Sequence, residues 1–235
     1  MTAIDSNQPR VITLFRRHEC KYLIPEEVAA EIRKFARPYV APDPFAAASP
    51  DLSYDIASLY LDSPDLKLFW ETEDGQLNRI KLRIRTYNDD PNAPVFMEIK
   101  RRFNSLVLKG RARIERPHMD SILAGSAPEV LLLKNNQKNC YDEFLSWMAR
   151  WLAQPTVWVK YRREAYVGTF NQDIRITMDR KLVCSPSRQG ANMAPGTTWL
   201  PVESRMVVLE IKFDGSYPDW VARLVQRSQL EKRSY

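Results

Sequence analysis

Charged and apolar side chains alternate at every second position in segment after segment of this chain, the periodicity of β-strands with two unlike faces. In NRIKLRIRTY, Ile80, Leu82 and Ile84 share one face, and Lys81, Arg83 and Arg85 the other. LFRRHECKYLI sets Phe15, Arg17, Glu19 and Lys21 against Leu14, Arg16, His18, Cys20 and Tyr22. ASLYLD opposes Ser58, Tyr60 and Asp62 to Leu59 and Leu61. VFMEIKRRF opposes Glu98, Lys100 and Arg102 to Met97 and Ile99, and LVLKGRARIE opposes Lys109, Arg111, Arg113 and Glu115 to Leu108, Ala112 and Ile114. The pattern returns with Tyr161 and Arg163, with Arg175, Thr177, Asp179 and Lys181, and with Glu210 and Lys212 opposite Leu209, Ile211 and Phe213. Eight strands are predicted.

Between the strands the period changes to that of helices. PEEVAAEIRKFARP begins with Pro25, Glu26 and Glu27, which suit a helix N-terminus, and spaces Val28, Ile32 and Phe35 along one stripe. DLKLFWETEDG predicts a short helix ending near Gly75. PEVLLLKNNQKNCYDEFLSWMARWLAQP predicts one or two helices anchored by Leu132, Leu133, Phe144, Leu145, Met148 and Leu152, and DWVARLVQRSQLEK another. Ala41 to Ser53 and Ser185 to Thr197 read as loops. The first nine residues carry no pattern and are expected to be flexible, with residues 10–235 forming one domain.

Helices must cover apolar sheet surface. If Ile80, Leu82, Ile84, Leu209 and Ile211 pack outward beneath them, the charged faces point inward. Small barrels are ordinarily filled with apolar side chains, so an interior lined with both signs of charge is costly unless it holds water and a charged ligand. A polar tunnel and a sandwich with one wet face both remain open on pattern alone.

Composition narrows the chemistry only slightly. The 35 Lys and Arg outnumber 29 Asp and Glu, giving a net charge of +6 and favouring anionic partners. Seven Gly leave no Walker or Rossmann phosphate loop. Cys20, Cys140 and Cys184 are widely spaced, without a CxxC pair, which points away from a disulfide framework or zinc ribbon and toward a reducing cytoplasm. No stretch approaches the roughly 18 apolar residues that span a bilayer, so a soluble chain is expected, with a membrane partner left open. His18 and His118 are isolated, Cys20 is expected in the core, and Trp147, Trp151 and Trp158 are expected to pack helices on the sheet. Arg101 should point outward, either into solvent or toward a long polyanion. Aromatic residues do not interleave with the cations on one face, which disfavours nucleic acid as a partner.

The ordered motifs R-x-E-x-K-Y (from Arg17), S-x-Y-x-D (from Ser58), R-x-R-x-Y (from Arg83), E-x-K (from Glu98), K-x-R (from Lys109), Y-x-R-x-A-Y (from Tyr161), R-x-T-x-D (from Arg175) and L-E-x-K (from Leu209) resemble the VTC domain. This is the catalytic domain of the vacuolar transporter chaperone polyphosphate polymerase, in the CYTH or triphosphate tunnel metalloenzyme superfamily. The resemblance implies an α+β fold: an eight-stranded antiparallel barrel forming a triphosphate tunnel, with helices outside. It implies phosphate contacts and catalytic roles for Lys21, Arg83, Arg85, Lys100, Arg163 and Arg175, and phosphate contacts for Lys109 and Arg111. Glu210 matches the metal-binding glutamate, with Glu19 and Glu98 as weaker assignments and Asp179 as a residue that would orient its neighbours. The cofactor would be Mn2+ or Mg2+, and the substrates ATP and polyphosphate. The family's Ser-Lys pair near the domain end is not reproduced by Lys232, Arg233, Ser234 and Tyr235.

The expected function is transfer of the terminal phosphate of ATP to a growing polyphosphate chain, in the cytoplasm and at the face of a membrane where a membrane partner exists. The alternatives are a tripolyphosphatase or nucleoside triphosphatase of the same fold, and a non-catalytic module binding polyphosphate or inositol phosphate. The oligomeric state is open.

Overall fold

The computed structural model describes residues 17–232, apart from 89, 105, 127–134, 172, 188–197, 204 and 217. In chain order the elements are β1 (Arg17–Pro25), α1 (Glu26–Ala36), β2 (Val40–Pro42), α2 (Pro44–Ala47), β3 (Ser53–Asp62), α3 (Lys67–Glu73), β4 (Asn78–Thr86) and β5 (Val95–Phe103). They continue with β6 (Leu106–Ile114), α4 (His118–Leu123), α5 (Asn135–Trp151), β7 (Gln154–Gly168), β8 (Arg175–Pro186), β9 (Leu200–Glu203), β10 (Met206–Asp214) and α6 (Asp219–Arg227). The pairings are antiparallel and follow the order β1-β10-β8-β7-β3-β4-β5-β6. These are the eight segments with alternating pattern.

The expectation of a closed eight-stranded barrel is corrected. The described sheet has ten strands, because short β2 joins β7 and β9 joins β8, and its path is open, with no ladder between β1 and β6. Long charged side chains occupy this seam: Glu19 of β1 accepts from Lys109 of β6 at 2.6 Å. The two edges meet here through side chains that reach across the gap, and the curl of the sheet stops short of a backbone ladder.

Two apolar cores lie on the outward face. Ala57, Leu59, Leu82, Ile84, Met97 and Ile99 pack with Leu68 of α3, Ile122 of α4 and Phe144 of α5. Ile24, Ile176, Met178, Leu209 and Ile211 pack with Ala29 and Ile32 of α1 and Val221 and Leu224 of α6. Leu82, Ile84, Met97 and Ile99 are essentially fully buried, worth about 1.5–3 kcal/mol each. A one-residue slip would turn Lys81 and Arg83 against the helices, so this burial also pins the register.

Local signals account for much of the helical layer. Pro25 is extended and caps α1, with Glu26 and Glu27 in the first turn and Arg33 and Lys34 in the last. Asp62, buried at the end of β3, accepts from the backbone N–H groups of Ser63, Leu68 and Phe69 and so caps the turn into α3. Arg33 and Arg180 both donate to Glu164, tying α1 to the sheet. Trp158 is buried, and Trp147 and Trp151 pack on the same core. His18 stacks on Phe213, and Cys20 lies partly buried beside the second core.

Three further expectations change. Leu152 is not an anchor: it lies one residue past α5 in the left-handed region, where the helical period no longer governs it, and is 74 % exposed. Arg101 is not free in solvent but pairs with Glu143 of α5. The Ala41–Ser53 loop contains β2 and α2, and Asp43 caps α2. Leu132, Leu133 and most of the Ser185–Thr197 loop lie outside the described residues.

Candidate functional site

Residues directly opposite one another in an antiparallel ladder share a face, and the registers join the polar positions of the eight strands into one surface. Lys81 faces Lys100, which faces Lys109; Arg83 faces Tyr60 on one side and Glu98 on the other; Glu98 faces Arg111. Toward the other edge, Arg163 faces Asp179, Thr177 faces Glu210, and Glu210 faces Lys21. The Glu19–Lys109 and Glu19–Lys100 pairs, at 2.6 and 3.4 Å, bring the two sheet edges together over this surface. It is therefore the lining of a curled channel.

Lys21, Arg83, Arg85, Lys100, Lys109, Arg111, Arg163 and Arg175 all lie on this face. Lys81 and Lys212 lie there too, as the alternation places them beside Arg83 and Glu210, and the structure adds Asp43. The ten cations just named stand with the carboxylates Glu19, Glu98, Asp179, Glu210 and Asp43, a ratio of two to one among these residues.

Each carboxylate holds particular cations. Glu98 accepts from Arg83 Nε at 2.6 Å and lies 3.9 Å from Arg85 and 3.6 Å from Arg111. Arg85 also reaches Ser58 and Tyr161, at 3.2 and 3.4 Å. Asp179 grips Arg163 through two bonds of 2.7 Å, with both side chains nearly buried. Glu210 pairs with Lys212 at 2.8 Å. Asp43, buried between Tyr54 and Arg175, accepts from them at 3.2 and 2.7 Å. Lys21 and Lys81 form no ion pair among the described residues.

Protonation follows from this crowding. Burial would raise the Glu19 carboxyl, but Lys212, Lys100 and Lys109 together carry it down to about 2. Burial likewise opposes ionisation of Glu98 and Glu210, yet Arg83 and Arg85 in one case, and Lys212 and Lys21 in the other, hold them below the usual carboxylate range. Burial depresses Lys81, Lys100 and Lys212 against the partial support of Tyr60, Glu19 and Glu210 respectively. Tyr60 is lowered despite burial by Arg83, Arg85 and Lys81. Such a surface is short of negative charge.

Among the described residues, no group of three or more His, Cys, Asp or Glu converges as metal ligands. Glu98 is surrounded by guanidinium groups, so its neighbours suit a counter-ion better than a ligand. Glu210, whose ion pair among the described residues is with Lys212, fits a hard divalent ion more closely, with Glu19 beside it as a weaker second oxygen donor because Lys100 and Lys109 already hold it. Both are ionised, they lie on paired strands, and opposite Glu210 the buried Thr177 hydroxyl has no hydrogen-bond partner among the described residues. Such an ion would take its remaining oxygens from phosphate and water.

The fold and its inner face define an α+β protein with a channel lined by arginine and lysine. The VTC domain model matches residues 16–235, and the chain belongs to that family. A search of curated proteins finds no match. Among solved structures, the chain resembles a protein from Bacillus halodurans proposed to be an adenylate cyclase, with 11% identity, a TM-score of 0.48, and coverage of 92% of this chain and 91% of that one. A protein from Pyrococcus horikoshii gives 15% identity, a TM-score of 0.45, and coverage of 93% and 95%. A proposed adenylyl cyclase from Hippeastrum with a dominant triphosphatase activity gives 14% identity, a TM-score of 0.45, and coverage of 91% and 88%. No helix among the described residues is long and apolar enough to cross a membrane.

Proposed function

We propose that this channel is a polyphosphate polymerase site, which binds the triphosphate of ATP and transfers its terminal phosphoryl group to the end of a polyphosphate chain. The observation that carries the reading is the excess of cations in the lining: Lys21 and Lys81 form no ion pair among the described residues, and burial penalises the charges of Lys81, Lys100 and Lys212. A polyphosphate supplies the missing charge along the whole row. Family membership supports the same reading.

In the transfer, a terminal oxygen of the polyphosphate chain attacks the γ-phosphorus in line. The bond to the β,γ-bridging oxygen breaks, and ADP leaves with that oxygen. Charge is spread over the transferring group, so the protein's task is positioning and neutralisation. Arg83 and Arg85, held from behind by Glu98, Tyr60 and Ser58, present planar forks for phosphate oxygens. Arg163 is aimed by Asp179, and Lys21, Lys81 and Lys100 supply point charges. Glu210 and Glu19 would hold Mg2+ or Mn2+, whose chemistry is charge neutralisation and orientation at the transferring phosphate.

The test is incubation with γ-labelled ATP and Mn2+ or Mg2+, with and without a short polyphosphate primer, resolving products on a gel. Labelled chains that lengthen, and that vanish when metal is removed, are expected. Free phosphate as the sole product would replace the polymerase by a triphosphatase. Tight polyphosphate binding without turnover would leave a binding module.

A further inference from the structure

At the end of the channel where β3 and β5 begin and β4 and β6 finish, four aromatic rings meet. Phe45 of α2 lies 6.0 Å from Tyr54 of β3 and 6.1 Å from Tyr87, just beyond β4, with the Phe45 and Tyr87 planes only 8° apart. Tyr87 meets Phe96 of β5 edge-on at 5.6 Å. None of these rings belongs to either apolar core, and Phe45 is 65 % exposed. A ring of this size serving only to pack would be largely covered.

The cluster is held in place and joined to the cationic lining. Asp43 caps α2 by accepting from Ala46 N–H at 2.8 Å, and through its second oxygen accepts from Tyr54 and Arg175. Arg111 lies over Phe96 at 3.7 Å and over Tyr87 at 5.4 Å, and donates to the Tyr87 hydroxyl at 3.0 Å. Phe96 is opposite Arg85 and Tyr54 is opposite Arg163 in their ladders. The rings therefore stand where the row of phosphate-binding cations meets solvent. The aromatic and cationic side chains do share a face here, contributed by separate segments of chain.

We infer that this rim is a nucleobase platform, on which the base of a nucleoside triphosphate stacks against Phe45 and Tyr87 while its phosphates run inward past Arg111, Arg85 and Arg83. The inference rests on the triphosphate reading of the channel. Aromatic stacking is tolerant of base identity and grows with ring area, so purine nucleotides bind more tightly than pyrimidine ones, and inorganic tripolyphosphate makes no use of the rim.

Calorimetric titration of the full chain with ATP, CTP and inorganic tripolyphosphate, in EDTA to prevent turnover, tests this. Phe45→Ala removes an exposed ring that lies under no cation among the described residues. It is expected to weaken ATP binding about tenfold and to leave tripolyphosphate binding unchanged, while Phe45→Tyr retains wild-type ATP affinity. Equal losses for ATP and tripolyphosphate, or no change in either, would overturn the platform. So would unchanged ATP binding alongside loss of binding to a single-stranded oligonucleotide. Wild-type protein that binds neither ATP nor tripolyphosphate would instead refute the underlying triphosphate reading. Tripolyphosphate binding without ATP binding would refute the platform alone.

Discussion

Glu19 is the carboxylate that holds the two sheet edges together, and Glu19→Gln separates its structural and binding consequences by sign. Three lysines, Lys212, Lys100 and Lys109, surround it and carry its carboxyl from an ordinary 4.5 to about 2. At about 1.4 kcal/mol per unit, that difference corresponds to about 3–4 kcal/mol favouring the ionised form in the folded state. Glu19 is one-fifth exposed, and Lys100 and Lys109, which bind it directly, are about half exposed, so solvent screening reduces the expected loss to about 1–2 kcal/mol. For a chain of this size, that lowers Tm by roughly 2–8 °C. A carboxyl with a depressed folded pKa contributes its full stabilisation above the unfolded value and loses it as pH falls toward the folded value. Wild type and variant should therefore differ at pH 7 and converge between pH 4.5 and 2. Tripolyphosphate binding should move the other way, tightening about three- to tenfold at low salt because Lys100 and Lys109 are released to the anion, with the gain shrinking as salt screens it. Thermal unfolding across pH and calorimetric titration in EDTA read the two effects. Equal stability at pH 7, or weaker anion binding in the variant, would refute the reasoning.

Glu210→Ala should cut metal-dependent turnover of ATP by a thousandfold or more, on the order of a lost metal-ion contribution, while binding of tripolyphosphate in EDTA survives; unchanged turnover would remove Glu210 from the proposed metal site. Binding of tripolyphosphate at alkaline pH should take up protons, since the anion restores charge to Lys81, Lys100 and Lys212, all depressed in the free protein; affinity then falls as pH rises through their values, and titrations in buffers of different ionisation enthalpy measure the uptake. Gly110→Ala should destabilise the fold by about 1–3 kcal/mol, because its new Cβ would stand 2.8 Å from the Cys140 sulfur; denaturant unfolding checks this, and Cys140→Ala in the same chain should recover part of the loss.

How much of this was legible in the sequence depended on the length scale over which each feature is set. The eight long strands each carry several alternations, so period alone exposes both faces of β4 and β10. β2 and β9 span three and four residues and each contains a proline, too short for any period to register. α4 follows Pro117 and has only six residues. Ring closure is invisible in principle: whether β1 meets β6 depends on the sum of twists and registers across eight strands, and the seam is settled by Glu19 and Lys109, which lie 90 positions apart.

The same reasoning separates what could be read at the site from what could not. The inward-facing cations are a property of single strands, and their row was visible as soon as the apolar face was given to helices. The pairing of those cations is a property of neighbouring strands: nothing local says that Glu98 is taken up by arginines while Glu210 is left to lysines. Asp43 had a local signal, an acidic residue directly before Pro44 in the manner of a helix cap, but its tie to Arg175 spans 132 positions. The aromatic rim was overlooked because Phe45, Tyr54, Tyr87 and Phe96 come from four separate segments. Reading strands one by one finds the lining of the channel, whereas its mouth is assembled from strand ends and connections, where periodicity stops.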